Sequence, residues 1–406
     1  MILFAAAVVA SFLSACVPVE WPSADPASLS LLNDSSVNCL LIQKSQWNAA
    51  LVEQGHKRGL KLLAVIDVGA TSTPAGADAV VIAAPNRNIA WSGKVPAVFL
   101  TSRNELGDSG GVVAISQAVW PEIRTGDDTI STPSSAPWIN TNLGYLRYLR
   151  SHVQGTIWIT SPSPKKAEIS ARALQQAVAD AALAGARWIA TPDPQTIAGA
   201  MRGDGVSLSA WQNVRRLVEF IHNLPDVSKL KTYSRLGINV SPSTGALVSG
   251  GVLDMVGAQH IPFQVTNSSV GFDKFFDFAD NALVKFPATS IGRTAIRAED
   301  VDDLEPIYRR VEVDVGRTNY GLRVFNGAGL LSAPYALPDN KGALVLMTNY
   351  TDAPAENITL HVLGHWTKAT LDQSGQQSRS LVTYPVKTAT AVEIDSLDIF
   401  GAIRVE

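Results

Sequence analysis

The sequence predicts an irregular (β/α)8 TIM-like barrel, then a short α/β segment, then a small antiparallel β-sandwich. Three observations predict it. Eight short, continuously apolar runs recur between residues 37 and 242. Helical stretches separate several of them. From Lys341 onward the pattern changes to short strands, several of which alternate polar and apolar residues.

The eight runs are "VNCLLI" (37–42), "LKLLAVIDV" (60–68), "ADAVVIAA" (77–84), "PAVFLTS" (96–102), "GVVAISQAVW" (111–120), "GTIWITS" (155–161), "RWIATPD" (187–193) and "SRLGINVS" (234–241). Continuous rather than alternating apolar runs mark strands buried on both faces, as in parallel sheets. "SQWNAALVEQGHKRG" follows the first run as a helix, and "NTNLGYLRYLRSHV" precedes the sixth. "AEISARALQQAVADAALAGA" precedes the seventh. "SLSAWQNVRRLVEFIHNL" precedes the eighth, with Leu208, Trp211, Val214, Leu217, Val218 and Ile221 on one face. Eight buried strands with helices between them give a (β/α)8 barrel. The gaps at 69–76, 85–95 and 103–110 are too short for helices, and parallel neighbours usually need a crossover of about a dozen residues. The barrel is therefore irregular there, or one pair is a hairpin, and a doubly wound open sheet is the competing architecture. "STGALVSGGVLDMVGAQHIPFQV" adds a helix and a short strand. The closing strands "GALVLMTNY", "NITLHVLG", "TKATLD", "RSLVTYPV", "TAVEIDS" and "FGAIRVE" read as a β-sandwich.

The chain starts with "MILFAAAVVASFLSACVPV". Residues Ile2 to Leu13 suit the apolar part of a secretory signal, and Leu13-Ser14-Ala15-Cys16 has the form of a bacterial lipobox, with Cys16 as the lipidation site. No Lys or Arg precedes the apolar run. A membrane span is the alternative, but Pro18, Glu20 and Pro22 end the run just short of bilayer thickness. This reading expects an exported protein, in the periplasm or at the cell surface, whose membrane contact is a lipid anchor or the N-terminal segment. Cys39, inside an apolar run, reads as a small buried hydrophobe. Two cysteines supply neither a disulfide framework nor a thiolate metal site. The domain division expected is a leader and linker over 1–28, a barrel over 29–265, an α/β connecting segment over 266–340 and a sandwich over 341–406.

Of 406 residues, 46% are hydrophobic and 17% charged, so the chain can bury a large core. A net charge of -3 and the absence of a basic run argue against a nucleic-acid partner. The six histidines show no metal-ligand spacing: His361 and His365 flank a glycine in strand-like sequence. No phosphate-binding Gly-Lys-Ser/Thr loop is present. "GDSGG" contains Ser109 between buried parallel-type strands with no His-containing partner motif, so Ser109 reads as a turn residue. No cofactor is expected.

"PWINTNLGYLRYLR", "AVADAALAGARWIATPD", "TGALVSGGVLDMV", "GLRVFNGAGL" and "ALVLMTNYTDAPAENITLHVLG" resemble a group of exported bacterial proteins. Those proteins have a glycoside-hydrolase-like (β/α)8 barrel and a C-terminal β-sandwich. The resemblance covers most of residues 30–406. It implies architecture more than chemistry, because the group has no transferable catalytic signature. The segment after residue 260 is shorter than the group implies.

Barrel enzymes act at the C-terminal ends of their strands. That singles out Asp67 after the second run, Glu105 after the fourth, Glu122 after the fifth and Asp193 at the end of the seventh. Cleaving a glycosidic bond needs two carboxyl groups, one to protonate the leaving oxygen and one to attack or to activate water. In the large clan of retaining barrel glycosidases an Asn-Glu pair ends strand four and a Glu ends strand seven. Asn104-Glu105 is similar to that pair, whereas Asp193 departs from it. Each acid also has a plainer reading. Glu105 suits an exposed turn, and Asp193 suits a cap for "DPQTIAGAM". Asp67 suits a turn before Gly69, and Glu122 a solvated position after Trp120-Pro121. Trp120 and Trp138 offer flat partners for sugar C–H faces, or are core edges. Trp188 reads as core. Asn140 and Asn142 suit sugar hydroxyls, or one of them caps the next helix.

These residues point to a glycoside hydrolase working with a carboxylate pair, with Glu105 as acid and Asp193 as nucleophile, on a β-galactoside or similar oligosaccharide. The alternative is a non-catalytic carbohydrate-binding surface lipoprotein.

Overall fold

The computed structural model describes residues 12–70, 72–84, 91–103, 111–123, 139–162, 169–240, 253–278, 293–296, 313, 316 and 320–406. The chain divides into two compact units. The first holds Met1–Ala118, Val153–Ala182 and Ala186–Leu224, and the second holds Val119–His152, Leu183–Gly185 and Pro225–Glu406.

The first unit is built on an 8-stranded parallel sheet. Its strands are β1 (Pro18–Glu20), β2 (Cys39–Gln43), β3 (Lys61–Ile66), β4 (Ala79–Ala83), β5 (Ala97–Thr101), β6 (Val112–Ile115), β9 (Thr156–Ile159) and β10 (Arg187–Trp188). The sheet closes. Val19 forms a parallel bridge with Ala190 just past β10, and the Glu20 amide donates to the Ala190 carbonyl at 2.9 Å. Following the pairing register once around the ring returns to β1 shifted by eight residues, the shear of a (β/α)8 barrel. The open-sheet alternative is thereby excluded.

Seven of the eight apolar runs are barrel strands, but the eighth, 234–241, is not. The missing strand is β1, inside the segment read as a leader. Pro18 and Glu20 within it hid it, since a strand of three residues leaves no periodic signal. The parallel pairs β3–β4, β4–β5 and β5–β6 stand as predicted, with no hairpin among them. No helix occurs in those connections among the described residues. Helices do occur at α1 (Ala49–Lys57), α3 (Ala171–Ala182), α4 (Pro194–Met201) and α5 (Gly205–His222). Asn48 and Asp204 cap α1 and α5 by accepting from Leu51 and Ser207 amides.

Strand alternation sorts the side chains into two layers. Cys16, Cys39, Leu41, Leu63, Ala79, Val81, Val98, Val112, Ala114, Trp158 and Ile189 fill the ring's interior. Ala64, Ile66, Val80 and Ile82 face outward to a second cluster. Trp21 also points outward and meets Trp211 of α5 edge-on at 5.7 Å. The floor of the ring is closed by residues 12–17. Leu13 and Cys16 are buried there. The Arg187 guanidinium donates to the Ser14 carbonyl at 2.7 Å and to that of Cys16, while the Asn38 side chain bonds Val17 N and Ala15 O.

Cys16 and Cys39 form a disulfide across this floor, with Cα atoms 5.4 Å apart. This corrects two expectations. A disulfide does form, and Cys16 is not available for lipidation, because its sulfur is already bonded and no part of the residue reaches solvent. The sequence reading failed because a separation of 23 residues gives no hint that the floor segment returns beside β2.

At Gly155 a Cβ would stand 2.7 Å from the Gly111 carbonyl oxygen, which accepts from Thr156 N at 2.9 Å. Gly111 itself has φ of 130°, open to glycine alone. Gly111, the last residue of "GDSGG", thus sets the start of β6 beside β9. Ser109 lies outside the described residues.

The second unit contains a short two-stranded ribbon, β7 (Glu122–Ile123) with β8 (Ile139–Asn140), followed by helix α2 (Leu143–His152). It also contains a parallel sheet in the order β12–β11–β13–β14. Those strands are β11 (Leu236–Val240), β12 (Gln264–Val265), β13 (Lys274–Phe278) and β14 (Arg293–Ile296), with α6 (Asp254–Ala258) between the first two. The run at 234–241 is continuously apolar because β11 is an inner strand of this second parallel sheet. The barrel therefore ends before residue 225 rather than at 265.

Two antiparallel sheets complete this unit. One has the order β15–β18–β22–β21, the other β16–β17–β23–β19–β20. Their ranges are β15 (Leu322–Phe325), β16 (Leu330–Ala336), β17 (Ala343–Asn349), β18 (Ala355–Leu363), β19 (Ala369–Gln373), β20 (Arg379–Ser380), β21 (Val382–Val386), β22 (Ala389–Leu397) and β23 (Phe400–Val405). Inward residues from both sheets, among them Leu322, Val345, Ile358, Leu360, Val392 and Ile403, form one core. The sandwich starts at β15, ahead of the expected boundary at 341. "LRVF" is too short, and half too polar, to register as a strand without its partner β18. Among the described residues no helix is long and apolar enough to cross a membrane.

Candidate active site at the barrel mouth

The C-terminal ends of the barrel strands form the site. The inner-face parity that buries Cys39 and Leu41 carries on to Gln43, and the parity of Leu63 and Val65 carries on to Asp67. On the same argument Glu20, Thr160 and Thr191 turn inward. A polar ring therefore lies above an apolar interior. A cavity of about 830 Å3 opens here, lined by Gln43, Lys44, Ser45, Val65, Asp67 and Ala83 among others.

Asp67 is exposed in this cavity. Its carbonyl accepts from Ala70 N at 3.1 Å, closing the turn through Gly69 with the backbone alone. The carboxylate has no hydrogen-bond or ion-pair partner among the described residues, so it is not the turn's stabiliser and remains available to a ligand.

Glu20 was not singled out in the sequence. It ends β1, and its Oε1 accepts from Gln43 Nε2 at 2.6 Å while its Oε2 accepts from Thr191 Oγ1 at 3.3 Å. Strands on both sides of the seam thus fix the carboxylate. The only sequence signal was its place at the end of a strand that was itself invisible. One inward layer below the ring, the buried Trp158 Nε1 has no hydrogen-bond partner among the described residues.

The other sequence candidates divide. Asp193 caps α4: Oδ1 accepts from Gln195 N at 2.8 Å and Thr196 N at 3.0 Å, with Pro194 at the first helical position. Asp193 thus takes the capping role of its plainer reading, with this oxygen committed to two backbone amides. Asp193→Ala is expected to cost about 1 kcal/mol of stability, and Asp193→Asn much less; denaturant unfolding of both variants checks this. A loss of activity in Asp193→Asn without loss of stability would reverse the assignment.

Glu122 and Asn140 face each other in the β7–β8 ribbon, with Asn140 Nδ2 donating to Glu122 Oε1 at 3.1 Å. They belong to the second unit. Asn142 is buried and bonds both the N–H and the C=O of Val119, at 2.8 and 2.9 Å. Its amide is a loop clamp rather than a ligand for hydroxyls. Trp120 is half-buried, and Trp188 is core at 4% exposure. Asn104, Glu105 and Trp138 lie outside the described residues. Among the described residues no group of three His, Cys, Asp or Glu side chains is placed to hold a metal ion.

No family model matches the chain, and no curated protein matches its sequence. Among solved structures it is similar to α-L-fucosidase isoenzyme 2 from Paenibacillus thiaminolyticus. That likeness has a TM-score of 0.58 at 8% identity, over 94% of this chain and 95% of that one. At that identity the likeness is one of fold, and it extends through barrel and sandwich together. A rhamnosidase from Novosphingobium sp. PP1Y overlaps 88% of this chain and 38% of its own, at a TM-score of 0.38 and 10% identity, too low to imply a common fold.

Proposed function

We propose that this protein is a glycoside hydrolase whose site is the barrel mouth. The observation that carries the reading is the closed ring with Asp67, unpartnered among the described residues, in an open cavity at its C-terminal end. The fold it shares with a fucosidase adds support. In this reading Asp67 is one of the two carboxyl groups, acting as nucleophile or as base toward water. Glu105, four residues past the end of β5, is the acid that protonates the leaving oxygen. Water completes the cleavage, giving a free sugar and an alcohol.

The proposed substrates are α-L-fucosides, as the fold shared with a fucosidase suggests, and β-D-galactosides, as the sequence reading expects. Export belongs to the proposal as well, because a Cys16–Cys39 bond is stable in an oxidising compartment.

A panel of p-nitrophenyl glycosides tests the reading. Turnover of the fucoside or the galactoside is the expected result. No turnover on any sugar, with measurable oligosaccharide binding, would instead favour a carbohydrate-binding protein.

A further inference from the structure

We infer that Glu20 is the residue that anchors the sugar ring in the mouth, its carboxylate accepting hydrogen bonds from ring hydroxyls. The inference rests on the glycoside reading and adds a residue that reading does not use.

Three observations carry it. First, Glu20 stands on the inner face at the closure seam, held from one side by Gln43 and from the other by Thr191. Gln43 itself lines the cavity, so the carboxylate stands at the cavity's border. Second, both partners are neutral donors. Among the described residues no Lys, Arg or His pairs with Glu20. A carboxylate has about four acceptor positions. Two are filled here, and the rest are left to whatever enters the mouth. Third, β1 and β3 are separated by β2, so at about 4.8 Å per strand their axes are about 10 Å apart. Glu20 and Asp67 therefore approach an occupant from different directions. A rigid acceptor with no cationic partner among the described residues suits a neutral polyhydroxy ligand that supplies donors. Trp158, whose buried Nε1 has no partner among the described residues, adds a donor inside the same ring.

The test is Glu20→Gln, which keeps shape and removes the charge and part of the acceptor capacity. On whichever p-nitrophenyl glycoside the wild type cleaves, KM is expected to rise about 10- to 100-fold, the range for a hydrogen bond to a charged group. The change in kcat should be much smaller. With the monodeoxy glycoside that lacks the anchored hydroxyl, wild type and variant should differ by less than about 2-fold in KM, since the interaction is then already absent. A merely structural role would not single out one deoxy substrate. Thr191→Val, which leaves the charge but removes one support, should give a smaller KM rise and serves if Glu20→Gln does not fold.

An unchanged KM in folded Glu20→Gln overturns the anchor while leaving the hydrolase reading intact. If the wild type binds free L-fucose or D-galactose by calorimetry but cleaves nothing, the hydrolase reading falls, and the anchor is then judged by whether Glu20→Gln weakens that binding at least 10-fold. Neither cleavage nor binding would overturn both.

Discussion

Asp67→Asn is expected to lower kcat on the responsive glycoside by about 100- to 10,000-fold, the range for a positioned acid or base, while leaving the unfolding midpoint almost unchanged. The reasoning is local. The carboxylate is exposed, makes no hydrogen bond among the described residues, and contributes nothing to the turn that follows it, which closes through the Asp67 carbonyl. Surface substitutions away from such contacts usually move stability by no more than about 0.5 kcal/mol. A large loss of activity without a loss of stability is thus the signature of a group that meets the substrate. The measurement is steady-state kinetics beside denaturant unfolding of the same preparation. If Asp67→Asn keeps activity within 10-fold of wild type, Asp67 is not one of the two carboxyl groups. Glu105→Gln, tested in parallel, reports on the proposed acid independently.

Removing the Cys16–Cys39 bond is the second large effect. A cross-link closing a loop of this length stabilises by about 3 kcal/mol. Here the consequence is concentrated on one seam. β1 has only three residues, and it joins the ring through β2 on one side and the Val19–Ala190 bridge on the other. The Cys16→Ser, Cys39→Ser double variant should therefore unfold at distinctly lower denaturant concentration. Reductant should shift the wild type by a similar amount and the double variant hardly at all. Thiol titration of the unreduced, denatured wild type should find no free thiol. Two reactive thiols per chain would remove the bond from the account, and would restore Cys16 as a lipidation candidate.

The fold was legible where residues repeat a pattern and illegible where position depends on a distant partner. Continuous apolar runs identified β2 to β6, β9 and β10, because strands covered on both faces have no polar side to show. β1 escaped, since three residues that begin with a proline carry no period. β11 was misassigned for the converse reason: burial on both faces looks the same in either parallel sheet. Asp193 showed its structural role in sequence through the Asp-Pro start of α4, and the structure has that cap. Glu20 left no trace, because its meaning comes from Gln43, 23 residues away, and Thr191, 171 residues away.

By itself the sequence determined the fold class, most of the barrel strands, the Asp193 cap of α4 and the acids near strand ends, all of which follow from local alternation and short-range backbone bonding. Only the tertiary structure decided that the ring closes between β1 and β10, that two cysteines meet across its floor, and which acids turn toward the mouth. Those depend on register and on contacts between residues far apart in the chain, and a one-residue change of register would turn every side chain of a strand to its opposite face.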